Sequence, residues 1–193
     1  MTTNSTRAIL AALFATSTVL LTACGGGGGN DPVGTSPPAT QEPSTPVAVN
    51  AATVTVNGVE RSYVEYAPAK VAGLREYDAG GVRVVIALHD DGSDGNAYAL
   101  RTRWTELADE HGFVVAFPNA AQSKWNLTGD ANAGDELAYV NAVAAAMRTK
   151  YALVATIPTY LTGTGTGGAL AQQLAMRAPN LAAAVASING VAP

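Results

Sequence analysis

One glycine-rich stretch offers two different chemistries, depending on which of its residues are counted. Residues 160–174 read YLTGTGTGGALAQQL, with a strand-like segment before the glycines and a helix-like segment after them. Gly163, Gly165 and Gly168 fit the G-x-G-x-x-G spacing of a loop that approaches the pyrophosphate of a dinucleotide. The segment from Gly163 to Gly167 also fits the nucleophile elbow G-x-S-x-G, except that glycine occupies the central position. These interpretations make opposite predictions about a bound cofactor.

The dinucleotide interpretation lacks its second element. Such a site also needs an acidic residue about 20 residues after the glycine loop, where the carboxylate binds the ribose. Residues 166–193 contain no aspartate and no glutamate. The loop also comes late in the chain, whereas a dinucleotide fingerprint opens the first strand–turn–helix unit. We therefore expect no cofactor, and a dinucleotide-binding module remains only as the alternative from another functional class.

The order of the surrounding elements indicates how the glycine turn is positioned. Two alternating segments separated by Asn57-Gly58 predict a hairpin, and apolar runs then alternate with amphipathic stretches. A hairpin followed by strand–helix alternation predicts an α/β fold with a mostly parallel sheet and helices on both faces. The predicted strands cover residues 53–56, 62–66, 83–88, 113–117, 159–162 and 183–188, and the predicted helices cover 100–111, 135–150 and the segment after the glycines.

Motifs on both sides of the glycine turn add up to a family resemblance. They are His89 at the end of an apolar strand, the segment His111–Pro118, the pair Trp125-Asn126, and the turn itself with Gly167-Gly168. In this order they resemble secreted α/β-hydrolases of the polyhydroxybutyrate depolymerase and feruloyl esterase type, over about residues 61–190. The resemblance implies an α/β-hydrolase-like three-layer sandwich with an N-terminal hairpin and then parallel strands. It also implies an ester or polyester ligand, with Trp125 as a candidate for a substrate-facing surface.

This chain departs from the family at the positions that carry the chemistry. The elbow glycines are kept as Gly163, Gly167 and Gly168. Gly165 stands where the serine nucleophile belongs, and Thr166 supplies the backbone N–H that follows it. Asp90 stands where the family has a glycine after the strand-end histidine, in the loop that helps to bind the oxyanion. A carboxylate beside a developing oxyanion would oppose the charge that the site has to stabilise.

The catalytic acid and base also have no counterpart. In α/β-hydrolases both follow the nucleophile along the chain, and residues 166–193 contain no Asp, Glu or His. We therefore expect a fold that lacks its last strands, with an unpaired strand edge, and a protein that is catalytically inactive as given. The alternative is a serine-type carboxylic-ester hydrolase that is completed by sequence or by a chain not present here.

The N-terminal region predicts export and a lipid anchor. Residues 8–21 form an apolar run that is too short to span a bilayer but fits the hydrophobic region of a signal peptide. The run leads into Leu-Thr-Ala-Cys24, which resembles the lipobox of bacterial lipoproteins, and the absence of aspartate after Cys24 implies the outer membrane. We expect a signal peptide over 1–23, lipidated Cys24 with a flexible Gly/Pro-rich linker over 24–50, and a partial hydrolase-like domain over 51–193. The domain would lie on the periplasmic or cell-surface side of that membrane, and a secreted protein is the alternative.

Charge and the remaining polar residues add few candidates. The formal net charge is -4 and no run of basic residues occurs, so no nucleic-acid partner is expected. His89 is predicted to shape its loop and His111 to end a helix, and neither is predicted to act as a base. The acidic loop after His89 lacks the spacing of a calcium-binding EF-hand, so it predicts a polar turn and no metal. Its acidic residues are Asp90, Asp91 and Asp94.

Overall fold

The strands and helices follow the predicted order, with a hairpin first and strand–helix units after it. The computed structural model describes residues 48–72, 81–129 and 134–191, so Cys24 and most of the predicted linker lie outside the described residues. The strands are β1 (Asn50–Val56), β2 (Val59–Tyr66), β3 (Val84–Leu88), β4 (Val114–Pro118), β5 (Thr159–Thr164) and β6 (Ala184–Ile188). The helices are α1 (Ala69–Ala72), α2 (Gly95–Arg101), α3 (Trp104–His111), α4 (Glu136–Lys150) and α5 (Gly165–Arg177).

These strands form one mixed sheet in the order β1-β2-β4-β3-β5-β6. β2 pairs antiparallel with β1 and with β4, and the remaining pairs are parallel. The hairpin turn has Asn57 at φ 50° and Gly58 at φ 81°, the positive angles that a two-residue hairpin turn of type I′ requires. β3 and β5 are neighbours, with Leu88 paired to Gly163. The residues that follow these two strands therefore meet at one end of the sheet.

Helices cover both faces of the sheet, which confirms the predicted three-layer α/β arrangement. β3 and β4 are buried at every position, as expected for apolar strands between two helical layers. On one face, α4 and α5 contribute Tyr139, Met147 and Leu170 to the larger core. On the other face, α2 and α3 contribute Tyr98 and Ala108 to a smaller core. Burial of a large apolar side chain stabilises the fold by about 1.5–3 kcal/mol.

The single helix predicted over residues 100–111 is two helices, so this prediction is wrong. Thr102 has extended backbone angles, φ -104° and ψ 157°, and α2 therefore ends before α3 begins at Trp104. Leu100 and Leu107, which the prediction placed on the buried face, are 50% and 37% exposed. The apolar spacing continues across the break, so periodicity alone could not locate it.

The predicted ends of the next helices agree with the structure. Gly112 ends α3 in the left-handed conformation, with φ 72° and ψ 48°. Asp135 caps α4 because its carboxylate accepts the N–H of Ala138 at 2.9 Å. Within the described ranges, no helix is both long enough and apolar enough to cross a membrane.

β6 lies at the end of the sheet and pairs with β5 alone among the described strands. Three of its residues are exposed, namely Ala184, Ala186 and Ile188. The described residues thus place apolar side chains along this edge strand, as the sequence predicts.

Candidate active site

The glycine turn joins β5 directly to α5. β5 ends at Thr164 and α5 begins at Gly165, which has φ 52° in the left-handed region. This conformation costs a residue with a side chain about 1–2 kcal/mol, whereas glycine adopts it freely. A sharp strand-to-helix turn of this kind presents the central residue of a nucleophile elbow above the end of the sheet. Gly165 offers no side chain at that point.

The flanking glycines are required because backbones meet closely on both sides of the turn. A Cβ on Gly163 would lie 2.5 Å from the carbonyl oxygen of Gly167. A Cβ on Gly167 would lie 2.5 Å from the carbonyl oxygen of Leu88, at the end of β3. Gly168 packs against β6 in the same way, since its Cβ would lie 2.7 Å from Ser187 Oγ. The turn therefore keeps the close approach of strand and helix that an elbow needs.

The carboxylate of Asp90 fills the space in front of Gly165. A Cβ added to Gly165 would overlap the carboxylate group of Asp90, which follows β3 and His89. The N–H of Thr166 donates to Asp90 Oδ1 at 2.8 Å, and the N–H of Asp91 donates to the same oxygen at 2.9 Å. An α/β-hydrolase holds its oxyanion with N–H groups from these same two segments, at about 2.7–3.1 Å. Asp90 Oδ1 thus lies where an oxyanion would be bound.

The hydroxyl of Thr166 belongs to the same network. Thr166 Oγ1 accepts the N–H of Asp91 at 3.0 Å. Its single proton faces two carboxylate oxygens, Asp90 Oδ1 at 3.0 Å and Asp91 Oδ1 at 2.8 Å. The hydroxyl of this residue, which is adjacent to Gly165, is therefore engaged by neighbouring side chains and backbone.

These hydrogen bonds lower the pKa of Asp90. The N–H of Thr166 is the largest cause that holds the pKa of Asp90 below its ordinary value of 3.8, and the N–H of Asp91 acts in the same direction. A carboxylate whose pKa is lowered in the folded state stabilises that state above the pKa of the unfolded chain. This contribution is lost only as the pH falls through the lower, folded pKa. Asp90 is therefore an anion at neutral pH, and its contacts are complete there.

His89 holds the loop that carries Asp90. The side chain is 1% exposed, its Nδ1 lies 2.7 Å from the carbonyl oxygen of Asp90, and its Nε2 accepts the N–H of Ala120 at 3.2 Å. The Nδ1 atom therefore carries the proton of a neutral ring. Burial is the main cause that lowers the pKa of His89, which keeps the ring neutral. Because both nitrogens bind backbone groups, neither is free to take a proton from a nucleophile.

Trp125 does not form the substrate-facing surface that the resemblance implied, and we correct that prediction. Its side chain is 6% exposed. The indole N–H donates to the carbonyl oxygen of His89 at 2.7 Å, and the two rings lie 4.9 Å apart. A buried indole needs a partner for its N–H, and the loop after β3 supplies it. Trp125 therefore packs against His89 and helps to hold the loop that carries Asp90.

The remaining acidic and histidine candidates have partners within the protein. Asp94 caps α2 by accepting the N–H of Ala97 at 2.8 Å. His111 is exposed at the end of α3, with its Nε2 3.9 Å from Glu110 Oε1. In the part of the chain that the structure describes, no group of three His, Cys, Asp or Glu side chains could hold a metal ion.

The N–H groups of Thr166 and Asp91 at this turn are both occupied by the carboxylate of Asp90. Attack on an ester would need a nucleophilic side chain at Gly165 and a free N–H at Thr166 for the oxyanion. A dinucleotide would need the same N–H for its pyrophosphate, and the Asp90 carboxylate would repel it. The N–H of Asp91 is a second donor to this oxygen that was not predicted from the sequence. Its position in the loop after β3 was the available signal.

The comparisons with known proteins agree with this geometry. A family model described as Esterase PHB depolymerase matches residues 61–192. A search of curated proteins finds no match. The acetyl xylan esterase from Aspergillus awamori superposes with a TM-score of 0.62 at 21% identity, over 74% of this chain and 53% of that chain.

Two further solved structures give similar values. A ferulic acid esterase superposes with a TM-score of 0.61 at 18% identity, over 74% of this chain and 60% of that chain. The S-formylglutathione hydrolase from Staphylococcus aureus superposes with a TM-score of 0.58 at 18% identity, over 70% of this chain and 54% of that chain. Identities this low show a shared fold, and the chain spans between 53% and 60% of the length of these three proteins.

Proposed function

The chain belongs to the Esterase PHB depolymerase family, and from this premise we propose that it is an envelope-anchored relative of ester hydrolases that does not cleave esters at its elbow. One observation carries the proposal. Gly165 stands at the apex of the β5–α5 turn with φ 52° and has no side chain to act as a nucleophile. The engagement of the neighbouring Thr166 hydroxyl by Asp90 and Asp91 supports the same conclusion. The remaining role of the domain is non-hydrolytic, in contact with an ester or polyester.

We expect the full-length protein to show no turnover of p-nitrophenyl acetate or butyrate above a heat-inactivated sample. A fluorophosphonate probe should leave its intact mass unchanged, because Gly165 offers no hydroxyl at the apex of the turn to form the adduct. An active serine esterase treated in parallel shows that both assays work. Ester turnover, together with a fluorophosphonate adduct on any residue from 159 to 168, would overturn the proposal.

A second candidate is a serine-type carboxylic-ester hydrolase completed by further sequence or by another chain. The retained elbow glycines and the two N–H groups directed at one oxygen favour it. The same fluorophosphonate labelling separates the candidates when it is applied to protein purified with its associated chains from the native envelope. Labelling of that complex, with none of the isolated chain, would select the second candidate.

The anchor is proposed from the sequence around Cys24, where a lipobox-like segment follows an apolar run. Acylation of Cys24 would make the outer membrane the partner of the mature chain, with the domain held on a flexible linker. We expect wild-type protein to carry the added mass of acyl chains at Cys24, and Cys24→Ser to lack that mass. Wild-type protein that is soluble and unacylated would show secretion instead.

A further inference from the structure

We propose that the anion site of the elbow persists in this protein and holds the carboxylate of Asp90 as its permanent internal ligand. The ligand class of the site is a carboxylate, and the protein supplies that ligand itself. The inference rests on the proposed function in one respect, since the missing side chain at Gly165 leaves the space that the carboxylate fills.

The N–H donors lie in two segments that follow neighbouring strands, and they converge on one oxygen atom. Thr166 is at the start of α5, and Asp91 is in the loop after β3. Their N–H groups lie 2.8 and 2.9 Å from Asp90 Oδ1, and the hydroxyl of Thr166 lies 3.0 Å from the same oxygen. Hydrogen bonds from N–H groups to a carboxylate are stronger than those to a neutral oxygen. The site therefore favours an anion in this place.

Asp90 and a side chain at position 165 compete for the same space. A Cβ built on Gly165 would overlap Cγ and both oxygens of the Asp90 carboxylate. The carboxylate is fixed by its hydrogen bonds, so it could move away only by giving them up. Gly165 and Asp90 thus act as a pair, in which the small residue makes room for the charged one.

The site is open to solvent from the side of Asp90, which is an exposed residue. Removal of the Asp90 side chain would leave the N–H groups of Asp91 and Thr166 directed at a vacant position that a small carboxylate from solution can reach. Formate is the matched probe, because Asp90→Ala keeps the Cβ atom and formate supplies the carboxylate that the substitution removes.

The first test is a double-mutant cycle on thermal unfolding of the full chain, with Asp90→Ala, Gly165→Ala and the double variant. Gly165→Ala should lower the melting temperature in the wild-type background, because of the positive φ and the overlap with Asp90. The same substitution should cost at most half as much in the Asp90→Ala background, where only the cost of the positive φ remains. If Gly165→Ala alone does not fold, a double variant that does fold would also show that Asp90 causes part of the loss. Additive losses would overturn the pairing.

The second test is rescue by formate. Sodium formate should raise the melting temperature of Asp90→Ala by about 2–4 °C relative to sodium chloride at equal ionic strength, since a ligand bound only by the folded state stabilises it. Wild-type protein, whose site is full, should show no such difference. Asp109→Ala serves as a control variant, because its exposed carboxylate accepts the hydroxyl of Tyr66 and lies outside the turn. Absence of rescue, or an equal rise in wild type or in the control, would overturn the internal ligand.

These outcomes are independent of the test of the proposed function. Ester turnover by wild-type protein would overturn the proposed non-hydrolytic function, whatever the double-mutant cycle shows. Additive losses without formate rescue would overturn the internal ligand, and the absence of ester turnover would still support the proposed function.

Discussion

Gly163→Ala is expected to destabilise the domain by about 3 kcal/mol, at the upper end of the usual cost of overpacking. The new Cβ would lie 2.5 Å from the carbonyl carbon and oxygen of Gly167 and 2.7 Å from the nitrogen of Gly168. These are backbone atoms of α5, so no side chain can rotate away, and strand and helix have to separate. The melting temperature should fall by about 6–12 °C.

The matched control is Gly81→Ala. A Cβ at Gly81 would meet no atom within 4 Å, and its backbone does not have a positive φ. We expect this variant to unfold within about 0.5 kcal/mol of wild type, as surface substitutions usually do. Equal stability of the Gly81 and Gly163 variants in urea unfolding would show that the β5–α5 turn is looser than described.

Glu136→Ala is expected to cost about 3–5 kcal/mol, because it leaves a buried cation without its partner. Arg61 Nη2 lies 3.0 Å from Glu136 Oε2, and the two side chains are only 11% and 3% exposed. Glu136 also accepts the N–H of Asn126 at 3.2 Å, so it fixes the chain that follows Trp125. Chemical denaturation of the purified variant measures the loss.

Glu106→Ala is the control for this prediction. Glu106 pairs with Arg103 on the surface of α3, where the side chains are 37% and 77% exposed. Exposed pairs contribute about 0–1 kcal/mol, so the control should unfold close to wild type. A loss at Glu136 as small as the loss at Glu106 would mean that water reaches Arg61 when its partner is removed.

Local patterns were sufficient to predict most of the fold. The hairpin turn at Asn57-Gly58 and the helix cap at Asp135 depend on contacts between residues that are close in the chain. They can therefore be predicted from the local sequence. The break at Thr102 could not be predicted, because the apolar residues on either side of it continue with helical spacing.

The candidate site could be predicted only in part, since it depends on which strands become neighbours. The turn at Gly165 and the position of Asp90 both followed from motif order. The hydrogen bond from Thr166 to Asp90 spans 76 residues and exists because β5 pairs with β3 in the sheet. Trp125 illustrates the limit of motif order, because the motif placed it near the turn without showing that its ring points inward.

The overlap between Asp90 and any side chain at position 165 constrains how this sequence can change. A serine introduced at Gly165 would displace the carboxylate from its hydrogen bonds, so we expect the single substitution to cost stability. A mutational path that shortens residue 90 before it replaces residue 165 avoids this cost. We therefore expect the effect of a side chain at position 165 to depend on the residue at position 90.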